Sequence, residues 1–395
     1  MIKITHVISG LQADGAETVL HTITSRMDSK RFQNEVVSLT DLGPMAERLE
    51  ASGIPVRALG MRPSAPNPIH LARLASSLKK SKPQVVHTWM YHADLIGGTA
   101  AWIAGKLPVV WGIHHTNLDP SQNKRTTIWT AQACARLSSS LPSRIVCCSE
   151  ASLLAHAQFG YAKEKMEVIP NGFDVDQFRP DPAARESLRA ELGISHDTPL
   201  IGMAARFHIQ KDHRNFVEAA ARLHAVAPDV HFVLCGKGVD NRNSELAGWI
   251  KQSGASLANA FHLLGSRKDM SRFFAALDIS TSSSLSEAFP MAVGEAMACG
   301  IPCVVTNVGD SAAIVGETGK VVPCGDPRAL SEAWQDLLSL SSSARSQLGQ
   351  AARNRVEQRF GIDSIVERYQ ELYRQVAAAP NSSAAQQSSL ASSVG

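Results

Sequence analysis

Two glutamates and two cations in the C-terminal half have the types and spacing to act together on a phosphorylated ligand. The run Ser286-Glu287-Ala288-Phe289-Pro290-Met291, continuing through Glu295 to Thr306, reads as loop, helix, glycine stop and strand. Pro290 suits a first helical turn. Amides near Phe289–Met291 would then aim the positive end of a helix at a ligand. Glu295 falls among Ala292, Val293, Ala296 and Met297, an apolar setting that argues for a purpose; a solvated helix residue is the alternative. Arg206 and Lys211 lie five positions apart in a loop after a strand. Together they would neutralise a diphosphate, with the arginine able to grip it in a bidentate way; as isolated charges they would be ordinary surface.

The N-terminal half offers weaker signals. Gly15 and Ala16 follow the first strand and open a helix, leaving amides free for a phosphate, although a tight turn explains them equally. The loop is not G-x-G-x-x-G, and no acidic residue follows the second strand at ribose distance, which counts against a dehydrogenase. His114 and His115 end a strand beside Asn117; alternation sends them to opposite faces, and the sequence does not say which one is functional. His87, Trp89, Tyr91 and His92 cluster after another strand, as an acceptor pocket with stacking faces or as plain packing.

The elements that must hold these residues are short Val/Ile-rich runs alternating with helical periods. Strands are expected at 2–8, 35–39, 56–58, 85–88, 109–113, 145–148 and 167–169, then, after a proline-rich stretch over 171–198, at 199–205, 230–235, 260–264, 279–282, 302–306 and 320–322. This is an α/β pattern played twice: two doubly wound, Rossmann-like domains at 1–180 and 181–361, facing across a cleft. An apolar stripe of Ile365, Tyr369, Leu372 and Tyr373 predicts a last helix over 362–377, and the Ala/Ser/Gln tail from 378 is expected to be disordered.

Composition narrows the partners. With 39 basic and 36 acidic residues in 395, the net charge of +3 does not suit nucleic acid. The first 180 residues nevertheless carry 19 Lys/Arg against 14 Asp/Glu, which would favour an anionic acceptor or membrane surface; Arg73–Lys82 is the nearest candidate for a basic amphipathic helix. Seven cysteines without metal-ligand spacing read as reduced thiols of a cytoplasmic protein, peripheral contact with the inner membrane face being compatible. The N-terminus reads as a strand rather than a signal peptide, and no apolar run is long enough to span a bilayer.

The paired glutamates followed by AMACGIPCVVT resemble the retaining GT-B glycosyltransferases of family 4, the glycosyl transferases of group 1. The likeness extends to Asp14-Gly15-Ala16-Glu17, to Arg206 with Lys211-Asp212, to Pro170-Asn171-Gly172 with Asp174 and Phe178, and to Thr318-Gly319 through Pro327, so it covers about residues 3–377. It implies a GT-B fold whose last helix returns to the first domain, and a nucleotide sugar as co-substrate with no cofactor and no metal. It implies that Glu287 bonds the donor sugar and stabilises charge at the anomeric carbon, that Glu295 holds the ribose, and that Arg206 and Lys211 stabilise the departing diphosphate. The family places the loops of Gly236 and of Gly265 with Arg267 near base and phosphate, and a histidine at the strand end where His114 and His115 stand. The acceptor would be a glycan or lipid-linked glycan in surface polysaccharide assembly. Pro290 and Met291 replace the Gly and Asn of many relatives, which leaves the donor sugar open. An epimerase or hydrolase of the same fold, or a non-catalytic sugar-nucleotide-binding module, remain as alternatives.

Overall fold

The computed structural model describes residues 1–12, 15–62 and 68–379. Asp14 and the tail from 380 therefore lie outside the described residues. The chain divides into two compact units, Met1–Gly172 together with the chain from Asp363 onward, and Phe173–Ile362.

In the first unit the strands are β1 Ile2–Ile8, β2 Phe32–Ser38, β3 Val56–Ala58, β4 Val85–Trp89, β5 Val109–Ile113, β6 Arg144–Cys147 and β7 Met166–Val168. They pair in the order β3-β2-β1-β4-β5-β6-β7, all parallel. β4 and β5 are buried at every residue, as strands covered by helices on both faces must be. Leu74, Ala75 and Leu78 from the helix Pro68–Ser81 share one core with Ala93, Ala100 and Ala101 from Tyr91–Ile103 and Ala131 and Cys134 from Arg125–Leu137. These three helices thus lie side by side on one face of the sheet. The C-terminal helix Ile362–Ala378 buries Ile365, Val366, Tyr369, Leu372, Tyr373 and Val376 and joins this unit through a 2.6 Å hydrogen bond between the Tyr373 hydroxyl and His87 Nδ1.

The second unit contains β8 Leu200–Ala204, β9 His231–Cys235, β10 Phe261–Leu263, β11 Ile279–Ser282, β12 Cys303–Thr306 and β13 Lys320–Val322, ordered β10-β9-β8-β11-β12-β13 and parallel throughout. Phe216, Phe232 and Trp334 fill its core, and the Trp334 indole donates to Thr281 Oγ1 at 2.9 Å. In both sheets the strand order reverses beside the first strand, between β1 and β4 and between β8 and β11. Ligands bind outside the carboxyl ends of strands at such reversal points.

Two differences from the sequence reading have clear causes. The unit boundary falls at Gly172 rather than 180 because Phe173 stacks on Phe289 at 5.7 Å and meets Phe360 edge-on, inside the second unit. The stretch read as a strandless junction holds a helix, Pro182–Leu192, with Asp181 as its cap, Pro182 at its start and Gly193 at its end. Its Arg189 is buried, bonded to Asp278 at 2.7 Å and to the carbonyls of Ser195, His196, Thr198 and Ala276. No helix among the described residues is long and apolar enough to cross a membrane.

Candidate active site

β8 and β11 are neighbours, so the loops at their carboxyl ends meet although some 75 residues separate them (211 and 287). Lys211 closes a short 3-10 turn, Ile209–Lys211, and Asp212 adopts φ +46° to cap the helix His213–His224 through the Asn215 amide. Lys211 Nζ donates to Glu287 Oε1 at 2.5 Å, and Ser284 Oγ donates to the same oxygen at 2.7 Å. Backbone bonds lock the two loops together: the Leu285 amide donates to the Gln210 carbonyl at 2.8 Å, and Ser283 Oγ donates to the carbonyls of Lys211 and Asp212, each at 3.0 Å. From the other side Gly309, at φ +51°, presses against the Glu287 carbonyl, where a Cβ would lie 2.3 Å from the oxygen. Glu287 is therefore held at both backbone and side chain, with a cation on its carboxylate.

Four residues further along, the helix Met291–Ala298 starts at Pro290 without a side-chain cap. Phe289 itself is buried against Phe173 and Phe360, so it can offer a ligand only its backbone. Gly294 sits under the Phe173 ring, which a Cβ there would approach to 2.0 Å; the missing side chain seats the helix. Glu295, on the next turn, is half-buried with no hydrogen-bond partner among the described residues, and burial pushes its carboxyl up to about 7. A carboxyl so placed, short of donors, is ready to accept from hydroxyl groups of a ligand. Arg206 is exposed at the end of β8 and forms no ion pair among the described residues, leaving its guanidinium available.

Three other expected donor contacts are placed differently. The Gly236 amide donates to the Gly265 carbonyl and the Gly265 amide to the Val239 carbonyl, both at 2.8 Å. Neither amide is available to a nucleotide. Gly236 is glycine because a Cβ would lie 2.0 Å from the Ala205 carbonyl oxygen, so it lets the loops after β8 and β9 touch. Arg267 is held by Asp269 at 2.6 Å and Glu191 at 2.8 Å, a network that Arg272 joins. Those bonds pull the Asp269 carboxyl well below its usual range and occupy the guanidinium that the sequence reading assigned to the donor.

In the first unit Gly15 and Ala16 open the helix Gly15–Arg26, and nothing crowds the position of a Cβ on Gly15. His87 and Tyr91, expected to line an acceptor pocket, are packed in the core instead. His87 is fully buried, stacked on Trp89 at 4.5 Å; the Tyr91 hydroxyl meets His156 Nε2 at 2.7 Å. Parallel strands covered on both faces leave no solvent side for β4 and its turn. Only His92 of that cluster is exposed. His114 and His115 have different surroundings: the His114 ring stacks on Trp89 at 5.1 Å, its two nitrogens enclosed, and burial pushes it down to about 4, so it is neutral at pH 7. His115 is half-buried beside the loop in which Asn117 bonds Gln122 and Asp119.

Residues 13–177 match the family described as Glycosyltransferase Family 4, and residues 198–340 match that described as Glycosyl transferases group 1. The chain belongs to the group 1, family 4 glycosyltransferases. It is 26% identical over 390 residues to the UDP-Gal:alpha-D-GlcNAc-diphosphoundecaprenol alpha-1,3-galactosyltransferase of Escherichia coli, covering 94% of this chain and 96% of that one. The D-inositol 3-phosphate glycosyltransferase of Xylanimonas cellulosilytica is 30% identical over 229 residues, 55% of this chain and 53% of its own. The crystal structure of Anabaena Alr3699/HepE in complex with UDP superposes with a TM-score of 0.84 at 24% identity, over 95% of this chain and 100% of that one, and it shows the shared GT-B fold.

Sequence reasoning missed the supports of this glycosyltransferase's site. Ser284, Gly309 and Gly294 carry no chemistry of their own, and only contacts between distant segments show what they do. Gly43 allows a similar close approach in the first unit: a Cβ there would come within 2.2 Å of the Leu11 carbonyl oxygen.

Proposed function

We propose that this glycosyltransferase moves a hexosyl group from a uridine-diphosphate sugar to a lipid-diphosphate-linked glycan, with retention at the anomeric carbon, in surface polysaccharide assembly. The contact of Lys211 with Glu287 carries the reading, since it puts a cation for a diphosphate and a carboxylate for a sugar in one rigid corner of a reversal point. In the reaction the anomeric carbon–oxygen bond to the diphosphate breaks, the electron pair leaves with the phosphate, and the acceptor hydroxyl oxygen bonds the same carbon as its proton passes to the departing phosphate oxygen. Arg206 and Lys211 stabilise the departing charge and supply what a divalent ion would otherwise provide. Glu287 faces the positive charge that develops on the sugar. The free amides before Val293 bind phosphate or sugar, and Glu295 holds ribose hydroxyls. In the first unit His115 and the amides at Gly15 and Ala16 are the candidate ligand contacts, the ring nitrogens of His114 being enclosed.

Uridine and the lipid diphosphate are taken from the Escherichia coli relative, whose name specifies both. A thermal-shift screen of uridine-, guanosine- and adenosine-diphosphate sugars tests the donor: a ligand at about 100 times its dissociation constant adds ~2.7 kcal/mol. Stabilisation by uridine compounds alone is expected, and stabilisation by another base only would refute the assignment. Nuclear magnetic resonance of the product reports the anomeric configuration, and inversion would refute retention. Turnover that releases free or isomerised sugar without an acceptor would favour the hydrolase or epimerase reading.

A further inference from the structure

The outer surface of the three adjacent helices in the first unit carries charge and apolar groups of an unusual kind. Between residues 68 and 143 the chain has eight Lys/Arg and two carboxylates. All eight cations are exposed and none forms an ion pair among the described residues. Of the carboxylates, Asp94 is fully buried and Asp119 lies in the loop before the third helix, bonded to Ser121. Each helix turns its apolar stripe to the common core, so its remaining positions face outward together. On Pro68–Ser81 these include Ile69, Arg73 and Lys80; on Tyr91–Ile103 and just beyond, Trp102, Ile103 and Lys106; on Arg125–Leu137, Arg125, Trp129 and Arg136. Trp102 and Trp129 are 55% and 65% exposed, and Ile69 and Ile103 are 53% and 51%.

We infer that this helical face docks flat on an anionic lipid bilayer. Tryptophan is favoured at the boundary between headgroups and acyl chains, where its ring is sheltered and its N–H stays wet. Lysine and arginine around it are drawn to a negative leaflet. A soluble polyanion would use the cations but leave both tryptophan rings uncovered. A second copy is disfavoured for a different reason: a two-fold contact through this face would set the same cations against each other. The helices, about 20 Å long at 1.5 Å per residue, offer a broad surface rather than a single anchor.

The test uses the full chain and co-sedimentation with vesicles of equal parts phosphatidylglycerol and phosphatidylcholine. Binding is expected, falling by about tenfold or more in Trp102→Ala/Trp129→Ala and in Lys80→Glu/Arg136→Glu, with loss in about 1 M salt. Pure phosphatidylcholine should retain little protein. Donor affinity, read by calorimetry, should be unchanged in both variants, which separates this inference from the transfer chemistry. Absence of vesicle binding overturns it, as does binding that the tryptophan variant leaves intact, the mark of a site for a soluble polyanion. A dimer in sedimentation velocity that the tryptophan variant dissociates overturns it too.

Discussion

Glu287 is fastened at its carboxylate by Lys211 and Ser284, and Gly309 packs closely against its carbonyl, so its replacement should affect chemistry far more than binding. Glu287→Gln keeps the shape and removes the charge. It should lower kcat by about 10²–10³, the usual loss for one preorganised electrostatic group, while the dissociation constant for uridine diphosphate stays within a few-fold. A loss of nucleotide affinity equal to the loss in kcat would show that Glu287 binds rather than stabilises charge. Glu295 differs in kind. Burial raises its carboxyl from 4.5 to about 7, so the folded protein holds a proton that the unfolded chain has released over that interval. Stability attributable to this group is full below pH ~4.5, falls as pH rises to about 7, and is constant above. Glu295→Gln should flatten that part of a melting-temperature profile, and an unaltered slope would exclude the assignment. If ribose hydroxyls donate to Glu295 they favour its charged form. Nucleotide binding near pH 7 should then release a proton, visible as a buffer-dependent calorimetric enthalpy, and the glutamine variant should abolish it.

At the scale of elements, the helix Met291–Ala298 is seated by what it lacks. Gly294→Ala would drive a methyl group into the Phe173 ring, 2.0 Å away, so ring or helix must move. The expected loss is about 1–3 kcal/mol, as for overpacked cores, together with weaker donor binding because the helix carries Glu295 and follows Glu287. Chemical denaturation and calorimetry on one variant measure both; stability lost with full donor affinity would mean the helix tolerates the shift. The unexpected helix Pro182–Leu192 is tied down by Arg185 and Arg189 on Asp278, at 2.8 and 2.7 Å. Asp278→Ala leaves the buried Arg189 uncompensated, which should destabilise by about 3–5 kcal/mol in urea unfolding. Asp278→Asn should recover part of that, since it still accepts hydrogen bonds.

For the whole molecule, the C-terminal helix belongs structurally to the unit from which it is farthest in sequence. Truncation after Gly361 would strip six buried residues from the first unit, so its unfolding transition should fall while uridine diphosphate binding to the second unit persists; calorimetry of both would check this. The sequence alone carried the rhythm of this fold. Every strand of both sheets overlaps a stretch expected from the sequence, the central ones most plainly, because burial on both faces forces continuous apolarity; edge strands such as β10, Phe261–Leu263, are only partly buried. The helix Pro182–Leu192 was hidden by the prolines around it, although Asp181, Pro182 and Gly193 are ordinary start and stop residues. Glu287, Lys211 and Arg206 stood out by type and loop position, and the structure joins Lys211 to Glu287. The intramolecular partners of Gly236, Gly265 and Arg267 and the core packing of His87 and Tyr91 were not legible, because a turn glycine, a paired arginine and a core ring look in sequence like ligand contacts. Local propensity and periodicity act over a few residues, so the sequence determined where strands and helices form and which loops carry charge. Which loops meet was decided by strand order: β11 pairs with β8, and that adjacency alone brings Glu287 to Lys211.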